Sequence, residues 1–221
     1  MSGWCLIDSP NNSTYNSVLY AHGKSGSTSL AHLVDTGVGE YVITDYEHDC
    51  ASINAYIDAS PSDVIVFLRD PYSRFISGMW QCVSETLRVA LPMNDQQLLD
   101  DLLDEPLYWR AVTERMFHVL GFSSGNPQLS DISAYHLAHY LEMFEHLRGP
   151  FVCKRTGEMT SVLTGLGVQN VVTHNQSIDK PLGEYYTMFS NAIQDTPSWP
   201  TVVEWLQPEV ARYTQLMMDN G

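Results

Sequence analysis

The stretch from Asp63 to Ser77 most constrains what this chain can fold into. Asp63-Val-Ile-Val-Phe-Leu68 is a short continuous apolar run, the pattern of a central parallel strand buried on both faces. Arg69 and Asp70 follow, and Pro71 stands where a helix would begin, since a first-turn residue has no amide partner to lose. Tyr72, Phe75, Ile76, Met79, Trp80 and Val83 then recur at helical spacing. A buried strand that feeds directly into an amphipathic helix belongs to an α/β protein. Arg69 falls at the strand end and Ser77 two turns into the helix. An arginine fork and a hydroxyl arranged in this way can grip one phosphate from two sides.

A second stretch has the same strand-to-helix form. Ser17-Val-Leu-Tyr-Ala21 reads as a buried strand, and Leu30, Leu33 and Val34 open a helix. Between them lie Gly23, Lys24, Ser25, Gly26, Ser27, Thr28 and Ser29. Glycines let the backbone approach a ligand closely, and the first amides of a helix point outward unpaired. An anion there gains several N–H donors, the positive end of the helix dipole and the Lys24 ammonium. The spacing is not that of a Walker loop. That motif needs a glycine five residues before the Gly of Gly-Lys-Ser/Thr, and counting back from Gly23 reaches Val18.

The two stretches together resemble the sulfotransferases that use 3′-phosphoadenosine 5′-phosphosulfate (PAPS), in particular the carbohydrate-type branch. Lys24-Ser-Gly-Ser-Thr-Ser29 is similar to the family loop that holds the 5′-phosphosulfate after the first strand. Arg69-Asp-Pro-Tyr-Ser-Arg-Phe-Ile-Ser77 matches the family's Arg-Asp-Pro-x-x-Arg-x-x-Ser at every fixed position. The resemblance is firm from Val18 to Trp80 and looser from Phe151 onward. It implies that Lys24, Ser25, Gly26, Ser27, Thr28 and Ser29 bind the 5′ side of the cofactor, while Arg69 and Ser77 hold its 3′-phosphate. PAPS would be the co-substrate, 3′,5′-bisphosphoadenosine (PAP) the product, and no metal is expected. The family places its general base just after the second strand, here Glu40-Tyr-Val-Ile-Thr44, which leaves His48 and Glu47 as alternative catalytic bases beside Lys24.

The expected fold is α/β, a central and mostly parallel sheet of four or five strands with helices on both sides, in a P-loop-like sulfotransferase architecture. At 221 residues the chain is expected to form one domain over 1–221, with a helical insertion at roughly 83–149 capping the acceptor side. Within that insertion, Leu107, Tyr108, Ala111 and Val112 begin a helix that stops at Gly121, and Ile132, Tyr135, Leu141, Phe144 and Leu147 lie on the next. His136, His139, Glu142 and His146 fall on that helix, but their spacing fits no zinc motif, and solvated histidines are the expectation. Trp80, Tyr108 and Trp109 are candidates for an acceptor wall, with core packing expected for at least two of them. Phe151-Val-Cys-Lys154 is a further core strand, and Thr156-x-Glu158 opens a helix ending at Gly165 or Gly167. Ser177 is a loose match to a late family segment near the cofactor. Pro197 to Pro200 reads as a break before a closing helix over Val203–Met218.

Composition narrows the partners. Eleven Lys and Arg against 26 Asp and Glu give a net charge of −15, which opposes binding to nucleic acid and to heparin-like polyanions. Lys24, Arg69 and Arg74 are assigned to the cofactor, so a neutral carbohydrate or small alcohol is the expected acceptor. The charge equally suits simple solubility. Cys5, Cys50, Cys82 and Cys153 are far apart and form no Cys-x-x-Cys, so reduced buried thiols are expected. The first 16 residues lack the basic flank and apolar core of a signal peptide, and no stretch of about 20 apolar residues occurs. A cytoplasmic protein with no membrane contact is the expectation, its oligomeric state open. Two rival readings are an ATP-dependent P-loop-like kinase, which would need Walker spacing and magnesium carboxylates, and a non-catalytic module that retains the nucleotide pocket.

Overall fold

The computed structural model describes residues 17–21, 25, 30, 41–43, 54, 63–90, 103–127, 129, 137–166 and 182–221. Four strands form one parallel sheet: β1 (Ser17–Ala21), β2 (Tyr41–Ile43), β3 (Asp63–Leu68) and β4 (Phe151–Arg155), in the order β2-β1-β3-β4. Five α-helices accompany it among the described residues: α1 (Pro71–Ala90), α2 (Pro106–Val119), α3 (Met159–Gly165), α4 (Tyr186–Gln194) and α5 (Trp199–Asn220). The expected α/β class and parallel sheet are therefore present. The chain divides into two compact units. The first contains residues 1–71, 139–175 and 209–221; the second contains 72–138 and 176–208.

In the first unit the apolar run of β3 is buried on both sides, as its composition requires. Val64, Val66 and Leu68 pack with Tyr20, Tyr140, Leu141, Phe144 and Cys153, with Tyr213, Leu216 and Met217 of α5 at the margin. On the opposite face Phe67 packs with Leu19, Ala21, Leu30, Met159 and Leu163. The period of two along β1 and β3 thus separates two hydrophobic clusters, one on each side of a single sheet.

Cys153 is fully buried in the first of these clusters. Burial pushes its thiol up from 9.0 to about 12, against a smaller opposing pull from the Lys154 ammonium. The unfolded chain therefore loses this proton first. The contribution to stability is complete below pH 9 and is lost as pH rises toward about 12. One such thiol steepens the alkaline fall of stability by up to about 1.4 kcal/mol per pH unit. Urea unfolding between pH 9 and 11 should show a shallower decline for Cys153→Ala, despite its lower starting stability. Parallel declines would contradict the assignment.

The second unit has an aromatic core. Phe75, Ile76, Met79, Trp80 and Val83 of α1 pack with Trp109, Phe117, Phe122, Phe189, Val202 and Leu206. Trp80 and Trp109 are fully buried with ring centroids 5.4 Å apart, and the Trp109 indole N–H donates to the Leu103 carbonyl at 2.7 Å. Both tryptophans are core residues, as expected for at least two of the three aromatics considered; Tyr108 is half-buried against the same cluster.

Three local expectations change. The closing helix α5 starts at Trp199, not Val203. Pro200 lies in its first turn, where a missing amide costs nothing, and the Glu114 carboxylate holds the entry by accepting from the Ser198 amide at 3.2 Å and its hydroxyl at 2.5 Å. The helix expected to carry Ile132, Tyr135, Leu141, Phe144 and Leu147 is a 3₁₀ helix over Leu141–His146 where it is described; Ile132 and Tyr135 lie outside the described residues. Glu209, itself buried, accepts from the Tyr140 and Leu141 amides at 2.9 and 3.1 Å and fixes its start, and Leu147 already has extended backbone leading to the Gly149-Pro150 turn. Helix α4 has no counterpart among the elements expected from sequence. His139 lies before the 3₁₀ helix and His146 at its end, both exposed, so they share no α-helical face; His136 lies outside the described residues. No helix among the described residues is long and apolar enough to cross a membrane.

Candidate functional site

Parallel strands place all their carboxyl ends on one edge. In register, Leu19 of β1 pairs with Ile65 of β3 and Ala21 with Phe67, so the two strands end side by side. The order also reverses at this point: β2 lies on one flank of β1, and β3 and β4 on the other. In open α/β sheets such a switch point leaves a crevice outside the strand ends, where ligands bind. The strands that precede the two predicted phosphate-binding stretches, β1 and β3, flank this switch point.

Within the first unit the two stretches are linked through a third. Thr156 follows β4, and its hydroxyl lies 3.2 Å from the Ser25 carbonyl and 3.1 Å from the Leu68 carbonyl. Ser25 belongs to the first stretch, and Leu68 immediately precedes Arg69 of the second. Ser25 is fully buried, and its own hydroxyl has no hydrogen-bond partner among the described residues. A hydroxyl withdrawn from water without a partner costs on the order of 1–3 kcal/mol. Arg69 is half-buried at the end of β3 and Asp70 is exposed. Lys24, Gly26, Ser27, Thr28 and Ser29 lie outside the described residues, as do His48, Glu47 and Ser177.

Ser77 and Arg74 belong to the second unit, both on α1. Ser77 is buried at 3% exposure. Arg74 is buried as well, and its guanidinium donates to the Ala138 carbonyl at 2.9 Å. A buried guanidinium must place its donors on acceptors close by, and the Ala138 carbonyl takes one of them.

No family model matches this chain, and neither a curated protein nor a solved structure does.

Sequence reasoning missed three residues of the strand edge. Thr156 carries a local signal, since it follows the apolar run of β4 as the other two stretches follow β1 and β3, but that signal alone indicates no more than a helix start. Arg155 and Tyr213 carry none. Burial raises the Tyr213 phenol above its ordinary value; the Arg155 guanidinium opposes this by charge and by a hydrogen bond, while Asp70 and Glu158 add to it. Tyr213, Arg155, Asp70 and Glu158 therefore form one electrostatic group beside Thr156. Glu158 also accepts the Arg155 amide at 2.8 Å, closing the first turn after β4.

Proposed function

We propose that this chain is a PAPS-dependent sulfotransferase with a P-loop-like sulfotransferase fold. The reading is supported most by the Thr156 hydroxyl, which bridges the carbonyls of Ser25, in the first phosphate-type stretch, and Leu68, just before the second, beside the β1/β3 switch point. The buried, unpartnered Ser25 hydroxyl adds support, because a phosphate oxygen would supply the acceptor it lacks among the described residues. Arg69 and Ser77 are assigned to the 3′-phosphate by their motif, and Lys24 with Ser25, Gly26, Ser27, Thr28 and Ser29 to the 5′-phosphosulfate.

The acceptor hydroxyl (an amine is the lesser alternative) attacks sulfur in line, forming a new O–S bond as the bond from sulfur to the 5′-phosphate oxygen breaks. Its proton passes to His48 or Glu47, and PAP leaves. As in phosphoryl transfer, the protein has little covalent chemistry to do; it orients the partners and neutralises charge on the leaving phosphate. The net charge of −15 favours a neutral carbohydrate or small alcohol over a sulfated chain.

Sulfuryl transfer from PAPS, measured against neutral sugars, small alcohols and heparin-like chains, tests this reading. Transfer is expected to a neutral acceptor; heparin-like turnover that quickens as salt is lowered would contradict the acceptor class. With His48 as base, His48→Ala abolishes turnover while PAP still binds. Glu47→Gln as the damaging change, with His48→Ala close to normal, would assign the base to Glu47. Near-normal rates in both variants would place the base elsewhere. PAP binding with no transfer to any acceptor would favour a nucleotide-binding module.

A further inference from the structure

We propose that Thr156 is a positioning residue, a latch that couples the two phosphate subsites; this rests on the bisphosphate reading of the site. One hydroxyl proton is shared between two carbonyls on different segments, at 3.2 Å from Ser25 and 3.1 Å from Leu68. These three residues are distant in sequence, and each stands at a strand's carboxyl end or in the stretch that follows. Thr156 is itself held firmly. The Met159 amide donates to its carbonyl, Met159 is buried in the sheet's second cluster, and Glu158 closes the turn on the Arg155 amide. Seating the 5′ group fixes the Ser25 segment. Through Thr156 it also fixes the end of β3, which carries Arg69. The coupling runs equally in the other direction, because linkage between two binding events is reciprocal.

Thr156→Val keeps the side-chain shape and removes the hydroxyl, and Thr156→Ser restores it. Isothermal titration is made with PAP, with 5′-AMP and with 3′-AMP, alongside the melting temperature of each unliganded variant. The valine variant should bind PAP roughly three- to tenfold more weakly, the loss of about one neutral hydrogen bond. It should lose less for either monophosphate, since each engages one segment only, and the serine variant should recover wild-type affinity. Equal losses for all three nucleotides, or no recovery with serine, would make Thr156 a plain structural residue. Wild-type PAP binding left unchanged by Thr156→Val would overturn the latch alone. Failure of the wild-type protein to bind PAP would overturn the reading of the site and the latch with it.

Discussion

Lys24→Ala is expected to lower kcat by about two to three orders of magnitude while weakening PAP binding by no more than about tenfold. The asymmetry follows from where charge appears. In bound PAPS the bridging oxygen between phosphorus and sulfur carries little charge, and as the bond to sulfur breaks it becomes a full phosphate oxygen. Under the proposed assignment an ammonium beside it would gain most at that moment, which would make Lys24 a contributor to the transition state more than to the ground state. Single-turnover rates with saturating PAPS, set beside PAP affinity by calorimetry, separate the two effects. A variant with normal kcat would remove Lys24 from the mechanism. Equal falls in turnover and affinity would make it a binding residue only.

The second large effect belongs to Arg69 and Ser77. Each should lose roughly tenfold to a hundredfold in affinity for PAP when replaced by alanine, against little loss for 5′-AMP, which lacks the 3′-phosphate. The scale is that of one hydrogen bond to a charged group, about 1.5–3 kcal/mol. Arg69 is half-buried where β3 ends, and Ser77 is buried on α1 in the second unit, so a framework role is the alternative for each. The comparison of two nucleotides decides between these roles. A framework residue costs both ligands alike; a phosphate ligand costs only the one carrying the phosphate. Equal losses would contradict the assignment.

What could be read from the sequence depended on how local the cause was. The strands were legible because a sheet covered on both faces demands uninterrupted apolar residues, and β3 meets that demand at every position from Val64 to Leu68. Helix α1 announced itself through Pro71 and the spacing of Phe75, Ile76, Met79 and Trp80. Leu141 and Phe144 misled because a separation of three suits a 3₁₀ turn as well as an α-helix, and the Glu209 carboxylate that caps this turn lies far along the chain. A break at Pro197–Pro200 does not follow from the prolines alone, because a proline is at home in a first helical turn. In the site, the glycine, serine and threonine of the first stretch and the Arg-to-Ser spacing of the second were visible as motifs. The Thr156 bridge was not, since it joins residues 131 and 88 positions apart. Tyr213 reaches Arg155 only through the packing of α5, and no spacing in the sequence signals that.

The central claim is that the β1/β3 crevice takes a 3′,5′-bisphosphorylated adenosine. Thermal unfolding of the wild-type protein with PAP, with ATP and magnesium, or with neither, tests it most directly. At 100 times its dissociation constant a ligand specific to the folded state adds about 2.7 kcal/mol. For a chain of this length that raises the melting temperature by roughly 5–10 °C. PAP should give that rise and ATP with magnesium little or none. Stabilisation by ATP with magnesium alone would contradict the sulfotransferase reading and favour a kinase.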